Sequence, residues 1–317
     1  MEIDKINNLL ELFFIQYKKQ DKNNIFLNSL KDQSKKYSWE DTFTNVLKLS
    51  NEISKYINKG DRCLIISENR PEWLITDLSI MMAYGITVPA YTTYTEKDYE
   101  YIIEDCNPSL IFVSDLIQYE KIRNIIPKKD FIKKVIIFDP IKNLDKNFNL
   151  EINEIFNSNE VVNKDIPGLK ITRKDPACII YTSGTQGNPK GVVLSHGGIL
   201  NNCEGSCELL KTIISKQPRF LTWLPLSHSY EHTVQFVQIA VAAKVFYAES
   251  IEKLIKNMND CKPQKDVPRK KSDTQVNREK LQGKLLRDNL RRRKEQQRIR
   301  RECQLRGSSE CEADSDT

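Results

Sequence analysis

Two hydrophobic spacings take turns along the first 260 residues. In "SWEDTFTNVLKLSNEISKYI" (38–57), Phe43, Val46, Leu47, Ile53 and Ile57 recur at helical intervals, and Ser38 with Asp41 has the spacing of a capping box. Gly60 stops that helix, and "RCLIIS" reads as a short buried strand. "NRPEWLITDLSIMMAYG" predicts a second helix, with Pro71 in its first turn and Gly85 past its end. "TVPAY", "SLIFVS", "KVIIFD", "ACIIYT", "RFLTWLP" and "AKVFYA" read as further strands. "TEKDYEYIIEDC" reads as a helix, and more helical sequence separates the last three strands. Strands alternating with helices imply an α/β fold with a mostly parallel sheet covered on its faces. There is no internal repeat.

After Pro263 the pattern is lost. "PQKDVPRKKSDTQ" is a polar linker, and the stretch from Val276 to Arg306 is a charged helix with only a narrow seam of Leu281, Leu285, Leu286 and Leu290. "GSSECEADSDT" has the composition of a disordered, acidic end. The expected organisation is therefore a body at 1–263, a basic linker and helix at 264–306, and an acidic tail at 307–317.

Charge sharpens this division. Lys and Arg number 49 against 43 Asp and Glu, but 15 of the basic and 9 of the acidic residues lie from Pro268 onward, leaving 34 of each before it. The net charge of +6 thus belongs to the tail, and the body is neutral. Eight cysteines form no CxxC pair and no secretory signal opens the sequence, so reduced thiols in a cytoplasmic protein are expected. The longest apolar stretch, Leu78 to Tyr91, is broken by Gly85 and Pro89 and is too short to span a bilayer.

The candidate chemistry lies in "IYTSGTQGNPKG" (180–191), set between the apolar runs "ACII" and "VVLSH". Glycines between two buried strands let backbone N–H groups converge on phosphate oxygens, because no side chain blocks the approach. Thr182, Ser183 and Thr185 add hydroxyls, and Lys190 adds a mobile cation. The spacing differs from GxxxxGK[ST], since Pro189 stands five residues after Gly184. Glycine spacing alone would fit a plain surface turn equally well. Strand, hydroxyls, glycines and lysine together favour phosphate.

"YTSGTQGNPKGVVLSH" resembles the signature phosphate loop of the AMP-forming acyl-CoA synthetases, the adenylate-forming ligase superfamily. "NRPEWLITDLSIMMAYGITVPAYTTYTEKDYEYIIEDC" resembles an early helix–strand–helix stretch of the same family. "WLPLSHSYEH" and "AKVFYAESIEKLIKNMNDCKP" are similar to its long-chain fatty-acid CoA ligase branch. Gln186 departs from the threonine of many members. The resemblance implies a layered N-terminal α/β domain and a two-step reaction: a carboxylate attacks the α-phosphate of ATP, then the thiol of CoA displaces AMP. It implies that Thr182, Ser183, Gly184, Thr185, Gly187 and Lys190 hold the triphosphate, with Thr185 also near Mg²⁺, and that His228 lies beside the carboxylate and α-phosphate. ATP, Mg²⁺, CoA and a long-chain fatty acid are the implied cofactor and substrates. Membrane contact, if made, would be peripheral.

Rival chemistry is present. His228, Glu231 and His232 spell H-x-x-E-H, a zinc-protease pattern that a helix would gather on one face, but no third ligand is evident. His196 and the Cys203/Cys207 pair read as packing residues, as do Trp39, Trp73 and Trp223. The Arg-rich stretch lacks interleaved aromatics, so a solvated helix is favoured over nucleic-acid binding.

The resemblance runs from about residue 8 to residue 263. No Tyr-Gly-x-Thr-Glu motif follows it, nor the ribose-binding aspartate, hinge and lysine-bearing C-terminal domain that the family implies. A truncated or fused reading frame is the simplest expectation. Three readings stay open: a long-chain fatty-acid CoA ligase by descent, inactive in this form; a non-catalytic nucleotide- or acyl-binding remnant; and a polyanion binder acting through the tail.

Overall fold

The computed structural model describes residues 2–160, 170–182, 189–210 and 218–261. The linker, the leucine seam and the acidic tail lie outside the described residues. The chain divides into two units, Met1–Pro263 and Gln264–Thr317, and all of the described residues belong to the first.

The chain opens with α1 (Leu9–Lys19), β1 (Ile25–Ser29), β2 (Lys36–Ser38), α2 (Trp39–Ile53), β3 (Arg62–Ile66), α3 (Pro71–Met82) and β4 (Ile86–Ala90). It continues through α4 (Glu96–Cys106), β5 (Leu110–Val113), α5 (Leu116–Glu120), β6 (Lys134–Ile137), β7 (Asn149–Glu151), α6 (Ile152–Phe156) and β8 (Pro176–Thr182). Last come β9 (Lys190–Ser195), α7 (His196–Leu210), β10 (Arg219–Thr222), α8 (Ser229–Ala240), β11 (Lys244–Tyr247) and α9 (Leu254–Asp260).

The expected starts of α2 and α3 are where the sequence puts them. Ser38 and Asp41 close a complete capping box, and Pro71 is in the first turn of α3. A second capping box, Thr95 with Asp98, starts α4, and Asn107 ends it in the left-handed conformation.

Two sheets form where the sequence suggested one. The larger has the order β7-β6-β5-β3-β4-β8-β9 and is parallel apart from the β8–β9 pair. The smaller has the order β10-β11-β1-β2, parallel except between β1 and β2. Side chains alternate across β3: Leu64 and Ile66 join a core with Tyr99, Ile102 and Ile103 of α4. Cys63 and Ile65 join the other core, with Phe13 of α1, Val46 of α2, Leu74 of α3 and Phe236 of α8. Phe26 of β1 and Val245 of β11 close that second core from the smaller sheet. Helices therefore lie between the two sheets, which is why α3 is buried along almost its whole length. Each fully buried aliphatic side chain contributes about 1.5–3 kcal/mol.

The order of the larger sheet creates a crevice. The chain leaves β3 for β4 on one side and later returns to place β5 on the other, so the carboxyl ends of these strands form a topological switch point. Pro89 has no N–H to donate, and β4 meets β8 only at Thr87 and Cys178, so the ladder is short there. At the edge, β9 is not the buried strand its sequence suggested. Among the described residues it is the end strand of its sheet, paired to β8 alone, and Val192 and Val193 are exposed.

Arg70, at the N-terminus of α3, ties the layers together. Its guanidinium donates to both carboxylate oxygens of Asp139 at 3.0 and 2.8 Å and to Glu72 at 2.9 Å. Glu72, fully buried, also meets Lys35 at 3.0 Å and accepts from the hydroxyl of Tyr37 at 3.0 Å. Burial opposes the charge on Glu72, but Arg70 and Lys35 outweigh it and hold the carboxyl below its ordinary range.

Candidate functional site

β8 and β9 are an antiparallel hairpin pair, and the glycine-rich segment joins them in the sequence. Thr182 closes β8 and stands in register with Lys190, which opens β9, and both are exposed. Ser183, Gly184, Thr185 and Gly187 lie outside the described residues, between that pair. The hairpin needs glycine at 191: a Cβ there would come within 2.9 Å of Ile179 and 3.3 Å of the Tyr181 ring. Tyr181 is buried and donates its hydroxyl to Asp105, so the ring beneath Gly191 is fixed.

His228 lies at the start of α8, on a turn of its own. It is the N-cap, with extended backbone (φ −93°, ψ 135°), and its Nδ1 accepts from the Tyr230 N–H at 3.2 Å. Its own N–H donates to the Pro225 carbonyl at 2.9 Å. Because Nδ1 is an acceptor, the proton of the neutral ring is on Nε2. The exposed side chain therefore presents a donor.

The H-x-x-E-H pattern does not gather its histidines. His228 caps the helix instead of entering it, which removes the common face that a helix would supply. His232 is fully buried, with Nε2 2.9 Å from the Asp77 carboxylate and Trp73 edge-on to its ring. Burial opposes its charge, yet Asp77 and Cys178 hold its pKa up at about 10. Among the described residues no group of three His, Cys, Asp or Glu could hold a metal.

Most of the residues expected to pack do so. His196 is buried, accepts from the Leu9 N–H at 3.3 Å, and is pulled down to about 4 by burial. Cys203 is buried, its thiol pushed up to about 12, while Cys207 is half-buried. Trp39 and Trp73 are core residues, whereas Trp223 is only half-buried because it follows the end of β10.

Glu231 gains significance that the motif alone did not give it. Its side chain is 4% exposed, it forms no hydrogen bond or ion pair among the described residues, and burial pushes its carboxyl up to about 7. A raised carboxyl binds its proton more tightly folded than unfolded, so Glu231's contribution to stability is greatest below about pH 4.5 and is lost as pH rises through about 7. Glu231→Gln should remove that decline and exceed the wild type by about 3 kcal/mol above pH 7. Urea melts of both proteins at pH 5 and pH 8 check this, and a constant difference would contradict it.

The far end of the hairpin meets a cavity of ≈ 700 Å³. Leu194 of β9, Ile199 and Leu210 of α7, Phe220 of β10 and Val234 and Val237 of α8 give it apolar walls. Ser229 and Tyr230, the two residues after His228, stand at the same cavity. One hairpin thus carries an exposed hydroxyl–lysine pair at one end and, through Leu194, lines an apolar chamber that Ser229 and Tyr230 also border. Among the described residues no helix is long and apolar enough to cross a membrane.

Comparison with known proteins bears on the family and the fold. A family model described as "AMP-binding enzyme" matches residues 14–264. Long chain acyl-CoA synthetase 3 of Arabidopsis thaliana is 30% identical over 244 residues, covering 72% of this chain and 36% of that protein. Long-chain-fatty-acid–CoA ligase ACSBG2 of Mus musculus is 30% identical over 195 residues, covering 58% of this chain and 29% of that protein. The chain thus spans about a third of the length of these relatives. Among solved structures, a red-emitting luciferase from Phrixothrix hirtus superposes with a TM-score of 0.70 at 19% identity, over 80% of this chain and 49% of that one. The N-terminal domain of FACL13 from Mycobacterium tuberculosis gives 0.68 at 16% identity, over 80% and 61%. These superpositions match the fold of the described layers.

Proposed function

The chain belongs to the AMP-binding enzyme family, and we propose that it is the nucleotide- and acyl-binding part of a long-chain fatty-acid CoA ligase. In that reaction the fatty carboxylate attacks the α-phosphate of ATP, releasing pyrophosphate and leaving acyl-adenylate. The thiol of CoA then takes the acyl group and AMP departs. The observation that carries the proposal is the shared hairpin, with Thr182 and Lys190 at one end and the apolar cavity at the other.

Each residue has a task in this reading. Lys190 places a cation on the triphosphate, and Thr182, Ser183, Gly184, Thr185 and Gly187 supply hydroxyl and backbone donors. Donors fixed before the reaction stabilise charge as it builds on phosphorus, and loss of one typically costs about 3 kcal/mol. His228 offers its Nε2–H to a carboxylate or phosphate oxygen where the acyl chain meets the nucleotide. It serves as a donor there, because Nδ1 is occupied by the Tyr230 N–H. Mg²⁺, when bound with ATP, supplies positive charge to the phosphates. Thr185 is the residue assigned to it, and no cluster of carboxylates among the described residues adds to that assignment.

The cavity makes the acyl half testable without turnover. Saturated fatty acids should bind with a Kd that tightens about fourfold per added methylene until the cavity is filled, as about 0.8 kcal/mol per buried CH₂ requires. Val234→Trp, which fills the cavity from its half-buried wall, should abolish that dependence and leave phosphate binding intact. Displacement of a fluorescent fatty acid reads both results. A dependence on chain length that survives Val234→Trp would assign the acyl chain elsewhere.

A further inference from the structure

The loop leaving β3 at the switch point reaches across to the other sheet through one side chain. The Nδ2–H of Asn69 donates to the Leu224 carbonyl at 2.6 Å, and its Oδ1 accepts from the Leu226 N–H at 3.0 Å. Both partners lie in the "LPL" segment between β10 and α8, more than 150 residues away in sequence. Pro225 between them has no N–H, and its carbonyl accepts from the His228 N–H at 2.9 Å. The turn from Leu224 to His228 is therefore held by two bonds from Asn69 and one of its own.

A primary amide suits this place because it carries a donor and an acceptor on one rigid plane. Aspartate would keep the acceptor for Leu226 and set a negative oxygen against the Leu224 carbonyl. Alanine would supply neither bond. The turn ends at the N-cap, where the Tyr230 N–H occupies His228 Nδ1. If the turn shifts, that capping bond is lost and the ring proton is free to move between nitrogens.

We infer that Asn69 is a positioning residue: by clamping Leu224 and Leu226 it sets the turn that caps α8 and keeps His228 in the Nε2–H form. The clamp is independent of ligand. Its consequence, an Nε2–H held ready for a carboxylate or phosphate oxygen, rests on the proposed ligase reading.

The sequence has only three histidines, so ring-labelled histidine gives three spin systems in the whole chain. His228 should show a single Nε2–H tautomer in the wild type. Asn69→Ala should move it to a mixture of tautomers while the buried His196 and the Asp77-paired His232 stay unchanged. Asn69→Asp, which keeps the bond to Leu226 but sets a carboxylate oxygen against the Leu224 carbonyl, should also move that resonance and decides the matter if the alanine variant fails to fold. Hexadecanoate should perturb His228 in the wild type and bind about tenfold more weakly to Asn69→Ala. A folded variant whose His228 is indistinguishable from the wild type overturns the clamp. A tautomer change in the variant, with no response of wild-type His228 to hexadecanoate, supports the clamp and instead removes the ligase reading.

Discussion

Asp77→Ala is expected to lower the unfolding free energy at pH 7 by about 3–5 kcal/mol, the usual cost of breaking a buried ion pair by removing one partner. Asp77 and His232 are both fully buried and 2.9 Å apart, between α3 and α8. Alanine would leave the imidazole either charged and unpaired or forced to lose its proton. The other ring nitrogen offers no relief, since His232 Nδ1 is buried without a hydrogen bond among the described residues.

The sign of the pH dependence comes from His232. Its pKa is raised from 6.5 to about 10 in the folded protein, so the pair contributes fully below about pH 6.5 and is lost as pH rises toward 10. The difference between wild type and Asp77→Ala should therefore shrink between pH 7 and pH 10. Urea unfolding across that range is the check, and a constant gap would contradict the charged pair. The double variant Asp77→Leu/His232→Leu should cost less than the sum of the two single changes, because it leaves no charge behind.

How much of this was legible in the sequence depended on how local each cause was. Ser38 with Asp41 and Pro71 at a helix start announced α2 and α3 because caps act within four residues. α1 carries a signal of the same kind, since Asn8 accepts from the Glu11 N–H as its N-cap, whereas β1 and β2 gave none. β1 is a strand because Leu27, Asn28 and Ser29 pair with Val245, Phe246 and Tyr247, over 200 residues away. That pairing also explains why one expected sheet became two.

The site divides in the same way. The candidate phosphate segment could be proposed from sequence alone because its hydroxyls, glycines and lysine are neighbours there. Asn69 and Asp77 could not, since Asn69's partners lie 155 and 157 positions off and Asp77's lies 155 off. The common helical face expected of H-x-x-E-H is absent for a specific reason. Helical spacing assigns residues i and i+4 to one face, but the Nδ1 cap gives His228 an extended backbone. The exposure of β9 was equally hidden, because an apolar "VVL" reads the same on an end strand as in the middle of a sheet.

The β8–β9 hairpin should bind the triphosphate through Lys190. The lysine faces solvent at the tip, in register with Thr182, whereas the opposite end of the hairpin pairs Pro176 with Ser195. Loss of a charge-assisted contact costs about 1.5–3 kcal/mol, which is about 10- to 150-fold in Kd. Lys174, exposed near that opposite end, provides a control of equal charge. Calorimetric titration of the 317-residue protein with pyrophosphate and with MgATP is the most direct test. Lys190→Ala should weaken both ligands by that factor while Lys174→Ala leaves them unchanged; equal affinity in the wild type and Lys190→Ala would contradict a phosphate role for the hairpin.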